Sequence, residues 1–271
     1  MGDDRDRWRI KPKSRVSIDR LDSRSTAGAP GDKTVAQATC GALRDELAAL
    51  QERLYAEGER KLLVVLQAMD TGGKGGTIKH VFRGVNPAGL SVVAFKAPTQ
   101  EELDHDFLWR IHHKTPGAGM IGIFDRSHYE DVLIVRVHEL VPEDVWRARY
   151  EHIRAFERNL VDAGTTIVKI YLHISEEEQS KRLQARLDNP EKNWKFRAGD
   201  LEERQCWPDY MAAFDEAIKA TSTAEAPWYV IPADRKWYRD WAVLQVLLET
   251  LREMDPQFPE AVEDLSRVVV E

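Results

Sequence analysis

"LLVVLQAMDTGGKGGTIKHV", residues 62–81, decides the fold. KLLVVLQ, residues 61–67, is apolar, rich in leucine and valine and too short for a typical helix, so it reads as a buried strand. The glycines that follow mark a turn, and a helix is expected from about Gly75. A Walker-type loop reads G-x-x-x-x-G-K and then Ser or Thr: backbone N–H groups wrap phosphates, the lysine reaches the outer ones, and the hydroxyl holds a metal ion. Here the frame is Ala68–Lys74. Gly73 and Lys74 match, Ala68 replaces the first glycine, and Gly75 stands where the hydroxyl belongs. Gly72, Gly73, Gly75 and Gly76 leave the backbone open to an anion at a helix N-terminus. Thr77, Lys79 and His80 follow within about two turns, so the loop is suited to more phosphate than one nucleotide carries. Asp70 is the odd letter, because a carboxylate facing phosphates repels them unless a cation or a proton in transit intervenes. The plainer alternative is a glycine-rich strand-to-helix turn with a surface lysine.

Outward from the loop, strands and helices alternate. Leucines at 43, 47, 50 and 54 predict an amphipathic helix over 34–58. After the loop come strand SVVAF (91–95), a helix over 100–114, and strand MIGIF (120–124). A long helix follows Pro142, then strand TTIVKIYLHI (165–174), a helix opened by a capping box from Ser175 to Glu178, and a helix around 207–220. Strand WYVI (228–231) and a helix from Trp237 close the pattern. Such spacing implies right-handed crossovers and a parallel sheet covered on both faces: an α/β fold with three α/β/α layers. Residues 1–33, with DSRSTAGAPGDK, read as an extended arm or poorly ordered leader, and 34–271 as a single domain.

The bulk composition agrees. The 271 residues are 42% hydrophobic and 31% charged, with eight tryptophans, which favours one large globular domain. Two cysteines, Cys40 and Cys206, are too few for a disulfide framework and suit a reducing compartment, so a cytoplasmic setting is expected. No run approaches the roughly eighteen apolar residues of a membrane span, and MGDDRDRWRIKPKSR lacks an apolar signal core. A soluble, unexported chain with no membrane partner is expected. A formal charge of −7 argues against nucleic acid as a partner, yet allows a local basic channel.

Two further segments carry chemistry. GIFDRSHYED places Asp125 and Arg126 just beyond an apolar strand, on the sheet edge where parallel α/β folds bind ligands. A strand-end aspartate is the usual Walker-B metal ligand, and Asp70 and Asp125 together can share hard cations through oxygen. The alternative is that Asp125 caps a turn while Arg126 pairs with Glu130 at the surface. DNPEKNWKFRAGDLEER, residues 188–204, offers Lys192, Lys195, Arg197 and Arg204 beside Trp194 and Phe196. It is either an exposed helix connection or a lid that closes on phosphates and excludes water, the aromatic pair anchoring the closed state. Arg136, inside the apolar VLIVRVH, requires an anionic partner, either substrate or a structural carboxylate.

Together AMDTGGKGGTIKHV, FDRSHYEDVLIVRV and NWKFRAGDLEER resemble, in order, the loop, second-motif and lid segments of the polyphosphate kinase 2 family. APWYVIPADRKWYRD is also similar to that family, and the resemblance runs from about residue 35 to DPQF near 255. It implies a P-loop kinase-like fold with a helical lid at about 188–204. It implies phosphoryl transfer between inorganic polyphosphate and nucleotides with Mg²⁺, Mn²⁺ being a possible substitute, and assembly into a homodimer or homotetramer. By motif position, Asp70 and Asp125 would organise the metals, Lys74 would hold the transferred phosphate, and Arg126 would contact nucleotide phosphate. Lys192, Lys195 and Arg204 would belong to the lid, with Glu130 and Arg136 also carried over to substrate binding. A polyphosphate track of Lys74, Lys79, His80 and Arg83 on one helix start suits a sliding polyanion. Monophosphate-accepting relatives often carry asparagine at the place of Asp125, which points to ADP and GDP as acceptors; WRIKPKSRV, by contrast, is similar to a subgroup that also takes AMP.

Two other functions fit parts of the pattern. An ATP-dependent nucleoside or nucleotide kinase is consistent with an aspartate in the loop, although Gly75 lacks the hydroxyl. A catalytically silent polyphosphate-binding module would use the loop without turnover, but Asp70 and Asp125 speak for catalysis.

Overall fold

The computed structural model describes residues 4–15 and 17–261. The chain runs β1 (Arg9–Ile10), α1 (Lys33–Glu57), β2 (Lys61–Gln67), α2 (Lys74–Val81), β3 (Leu90–Ala94), α3 (Gln100–Leu103), α4 (Trp109–His112), β4 (Ile121–Asp125), α5 (Ile134–Val137), α6 (Glu143–Asp162), β5 (Thr165–His173), α7 (Glu176–Leu187), α8 (Gly199–Gln205), α9 (Trp207–Thr221), β6 (Trp228–Pro232) and α10 (Lys236–Met254). The strands form one sheet in the order β1-β6-β5-β2-β4-β3. Helices α1, α2 and α10 pack together with α10 against β5 and β6, while α6 lies against β5 and packs with α9. The result is the expected three-layer α/β/α fold, its central strand β2 buried from Leu62 to Gln67.

Topology places the site. The chain leaves β2, passes through α2 to β3 at the sheet edge, and returns with β4 in between, whereas β5 and β6 build outward on the other side of β2. The direction of winding reverses at β2, so a crevice opens beyond the carboxyl ends of β2, β4 and β5. Register puts Leu66 level with both Asp125 of β4 and Ile170 of β5. The loop after β2 and the turn after β4 therefore leave the sheet side by side.

Three sequence expectations are refined. The N-terminal arm is extended and attached: β1 pairs antiparallel with β6, Arg9 opposite Tyr229 and Ile10 opposite Trp228. Trp8 is buried edge-on against Trp241, and its indole N–H donates to Tyr238 Oη at 3.1 Å. The helix expected over 100–114 breaks into α3 and α4, because Asp104 caps the first and Asp106 Oδ1 turns back to accept from the Leu108 N–H at 2.9 Å. The capping box at Ser175 is only half formed. Ser175 Oγ accepts from the Glu178 N–H (3.1 Å), but the Ser175 N–H goes to Asp234 (2.8 Å) and Glu178 turns to Arg182 (2.7 Å). Among the described residues no helix is long and apolar enough to cross a membrane.

Candidate active site

The loop between β2 and α2 holds a shape that only part of its sequence tolerates. Thr71 (φ +61°) and Gly73 (φ +106°) both take left-handed backbone, a conformation that costs a β-branched residue about 1–3 kcal/mol. A Cβ on Gly72 would lie 2.4 Å from the Ala68 side chain, so the loop closes on itself only with glycine there. Two basic side chains fix it. Lys74 is buried and donates from Nζ to the Ala68 carbonyl at 3.0 Å. Arg182 of α7 donates to the carbonyls of Thr71 (3.1 Å) and Gly72 (3.0 Å), to those of Ala233 (2.6 Å) and Asp234 (3.2 Å), and to Glu178.

The turn after β4 brings the partner group. Arg126, again left-handed (φ +65°), donates its N–H to the Leu66 carbonyl at 3.1 Å and swings its guanidinium to Asp70 Oδ1 at 2.7 Å, with Glu130 4.0 Å away. Burial pulls the Lys74 ammonium below its ordinary value, Arg126 adding to the effect, against Asp70, Asp125 and Glu130. Burial likewise opposes the charge on Arg126, but Glu130, Asp70 and Asp125 outweigh it and raise its pKa. Glu130 is pushed up by burial, with Arg126 and Lys74 pulling the other way. From the opposite wall, Gln179 donates to the Asp70 carbonyl (3.1 Å) and accepts from Arg204 of α8 (2.9 Å), so the lid segment reaches the loop through one buried amide.

The loop is a partition between two clefts. One, about 510 Å³, is lined by Asp70, Arg126 and Glu130 together with the apolar Phe95, Leu133 and Ile134; the lid contributes Arg197 and Asp200. The second, about 860 Å³, lies across Thr71, Gly73 and Gly76 and is lined by α1, α7, the start of α10 and the lid lysines. Nine lysines and arginines face it against three carboxylates. The crowding shows in Lys236, whose pKa is lowered by burial and then by Arg182 and Arg239.

The residues singled out from sequence divide accordingly. Asp70, Lys74, Asp125, Arg126 and Glu130 converge at the strand ends, and Gly73, Gly76 and His80 face the basic cleft with Lys192 and Lys195. Lys79 and Arg83 do not line the basic cleft: Lys79 is one helical step, about 100°, from His80, and Arg83 lies beyond the end of α2. Thr77 is buried, and its hydroxyl donates to the Gly73 carbonyl at 3.2 Å, inside the helix. Arg136 finds its anion in Glu216 at 2.7 Å and lies over the Trp146 ring, so its partner is the structural carboxylate. Arg204 ties the lid to α7. Trp194 is 77% exposed, with the Lys195 ammonium 4.9 Å from its ring centre. Sequence reading missed Arg44, Arg182, Arg186, Lys236 and Arg239; the last two lie within APWYVIPADRKWYRD, and the basic residues of α7 recur on one helical face.

Asp70, its side chain 29% exposed, and half-buried Asp125 provide only oxygen donors. Among the described residues no group of three or more His, Cys, Asp or Glu is arranged for a metal. One or two carboxylates, completed by phosphate and water, are what Mg²⁺ takes in phosphoryl-transfer sites, so the donor set fits that ion.

The glycine loop and the two clefts it divides lie within the span that comparison with known proteins covers. The sequence model of Polyphosphate kinase 2 (PPK2) matches residues 31–259. The chain belongs to the polyphosphate kinase 2 family. It is 53% identical over 265 residues to the AMP/ADP-polyphosphate phosphotransferase of Meiothermus ruber, covering 98% of this chain and 99% of that one. It is 48% identical over 228 residues to the ADP-polyphosphate phosphotransferase of Rhodopseudomonas palustris, covering 80% and 79%. The crystal structure of polyphosphate kinase 2 from Arthrobacter aurescens TC1 superposes with a TM-score of 0.92 at 49% identity, covering 95% of this chain and 92% of that one. This PPK2 chain is thus a phosphotransferase in fold and family over nearly its whole length.

Proposed function

We propose that the protein transfers a phosphoryl group from inorganic polyphosphate to a nucleoside diphosphate, ADP or GDP, and also to AMP, with the nucleotide in the cleft of Asp70, Arg126 and Glu130 and the polyphosphate in the basic cleft. The observation that carries this reading is the loop itself, whose Asp70 faces one cleft while Thr71 and Gly73 face the other. An oxygen of the nucleotide's terminal phosphate attacks the end phosphorus of the polyphosphate; the new P–O bond forms as the bridging P–O bond of the chain breaks, and the shortened chain leaves with that oxygen. The transition state is loose and spreads charge over its outer oxygens, so stabilisation comes from fixed cations rather than from a nucleophilic side chain.

Arg126, pinned by Asp70, orients the acceptor phosphate. Lys74, buried in the partition and held by the Ala68 carbonyl, would supply positive charge to the transferred group. Asp70 and Asp125 would hold Mg²⁺, with Mn²⁺ as substitute, which supplies charge neutralisation across the transferred group. Lys192 and Lys195 of the lid belong to the polyphosphate side, and Arg197 and Asp200 to the nucleotide side. A cytoplasmic setting and assembly into a homodimer or homotetramer belong to the same reading, resting on the two free cysteines and on the family resemblance. The test is direct: purified protein with ADP, Mg²⁺ and long-chain polyphosphate forms ATP, with AMP and GDP as further acceptors. No nucleoside triphosphate from any common acceptor overturns the proposal.

A further inference from the structure

On the buried side of the turn that carries Arg126 and Glu130 lies a cluster of ionisable groups that neither cleft uses. Lys169, in the middle of β5 and 0% exposed, donates from Nζ to Glu157 Oε2 (2.6 Å), to the Tyr129 hydroxyl (3.0 Å) and to the Thr221 carbonyl (2.8 Å). Glu157 of α6 accepts from the Tyr129 hydroxyl at 2.8 Å and faces His128 Nε2 at 3.3 Å. Thr221, at the end of α9, accepts from the Trp228 indole of β6 at 2.9 Å. Burial lowers the Lys169 ammonium against the pull of Glu157; burial alone would raise the Glu157 carboxyl, but Lys169 and His128 outweigh it and hold it below the ordinary value.

Two helices and two strands thus converge on two consecutive turn residues, His128 and Tyr129. A buried ion pair is a poor device for stability, since apolar groups of the same shape do as well or better. What it offers is direction, because each hydrogen bond fixes an angle as well as a distance. The turn is short: Arg126 stands three residues before Tyr129 and Glu130 one after, and Arg126 is held in left-handed backbone.

We propose that the Lys169–Glu157 pair, acting through Tyr129 and His128, is a positioning device that sets Arg126 and Glu130 against Asp70 for the acceptor phosphate. The inference rests on the reading that the nucleotide occupies the Arg126 cleft. It makes the pair specific to one substrate, because the basic cleft is built from other elements.

The test measures KM for ADP and for polyphosphate separately, together with the melting temperature. The variants are Tyr129→Phe, the double Lys169→Met/Glu157→Gln, Arg126→Ala for reference, and Tyr171→Phe as a buried control on the same strand whose hydroxyl reaches only Met211 (3.6 Å). Tyr129→Phe and the double variant are expected to fold and to raise KM for ADP about fivefold or more, the scale of one lost directional hydrogen bond, with KM for polyphosphate within about twofold. Tyr171→Phe moves neither. Should the double variant fail to fold, Tyr129→Phe decides alone. A folded Tyr129→Phe with unchanged KM for ADP, beside an Arg126→Ala that raises it, overturns the positioning inference alone. An Arg126→Ala that leaves KM for ADP unmoved overturns the site reading, and this inference with it.

Discussion

The two clefts on either side of the glycine loop are built from unlike materials. The smaller has five basic and five acidic side chains among apolar ones, so its charges are largely matched. The larger has nine basic residues against three acidic ones, and Lys33, Lys192, Lys195 and Lys236 form no salt bridge among the described residues. A matched, shaped cleft selects a molecule of fixed size. An unmatched, open one accepts any length of polyanion, because each repeat meets the same unspent positive charge. The difference teaches that the net charge of −7 and a polyphosphate substrate are compatible: the positive field is local.

The largest effect is expected where the clefts share a wall. Lys74→Ala should lower kcat by about a hundredfold or more, near 3 kcal/mol of lost transition-state stabilisation, for every acceptor nucleotide. Steady-state rates with ADP and with AMP check this; a loss confined to one acceptor breaks the shared-wall picture. Next comes Gly72→Ala, whose added methyl would meet Ala68 at 2.4 Å and the Met69 carbonyl at 2.8 Å. The loop must shift, and a shift of about 1 Å costs on the order of tenfold to a hundredfold in kcat/KM for both substrates.

Smaller effects should separate the clefts. Lys236→Ala or Lys192→Ala is expected to raise KM for polyphosphate about three- to tenfold and leave KM for ADP alone, and added salt should weaken polyphosphate binding more than ADP binding. Titrating each substrate at two ionic strengths measures both. The smallest effect concerns Glu130, whose carboxyl burial raises above its ordinary value of 4.5. Its protonated form is the one favoured in the fold, so its contribution to stability is fully present below about pH 4.5 and is lost as pH rises through the folded pKa. Glu130→Gln should therefore melt higher than the parent at pH 7, by a margin that closes as the pH falls to 4.5, as thermal melts across that range will show.

The parts of the site legible in the sequence are those written in consecutive letters. KLLVVLQAMDTGGKGG spells strand, turn and helix start, and IGIFDR spells strand and ligand, so the meeting of Asp70 with Asp125 and Arg126 follows once both strands are parallel. The basic cleft is not contiguous. It assembles from four distant segments, and one helical step decides that His80 faces it and Lys79 does not. Lys169 did carry a signal, a lysine within TTIVKIYLHI, of the same kind as Arg136 within VLIVRVH; both resolve into buried or half-buried carboxylate pairs. The break between α3 and α4 was hidden because the Asp106 carboxylate takes the Leu108 N–H, a competition between side chain and backbone that periodicity does not register.

Arg182 and its neighbour Lys181 make a last contrast, in tolerance to replacement. Lys181 is exposed, pairs with Glu177 at 2.6 Å and adds one charge to the basic cleft, so another basic residue can stand in for it. Arg182 spends its guanidinium on four backbone carbonyls and one carboxylate, a pattern that requires a planar fork. Exchanged between lysine and arginine, two adjacent basic letters would then score at opposite extremes, lysine at position 182 counting as a radical change.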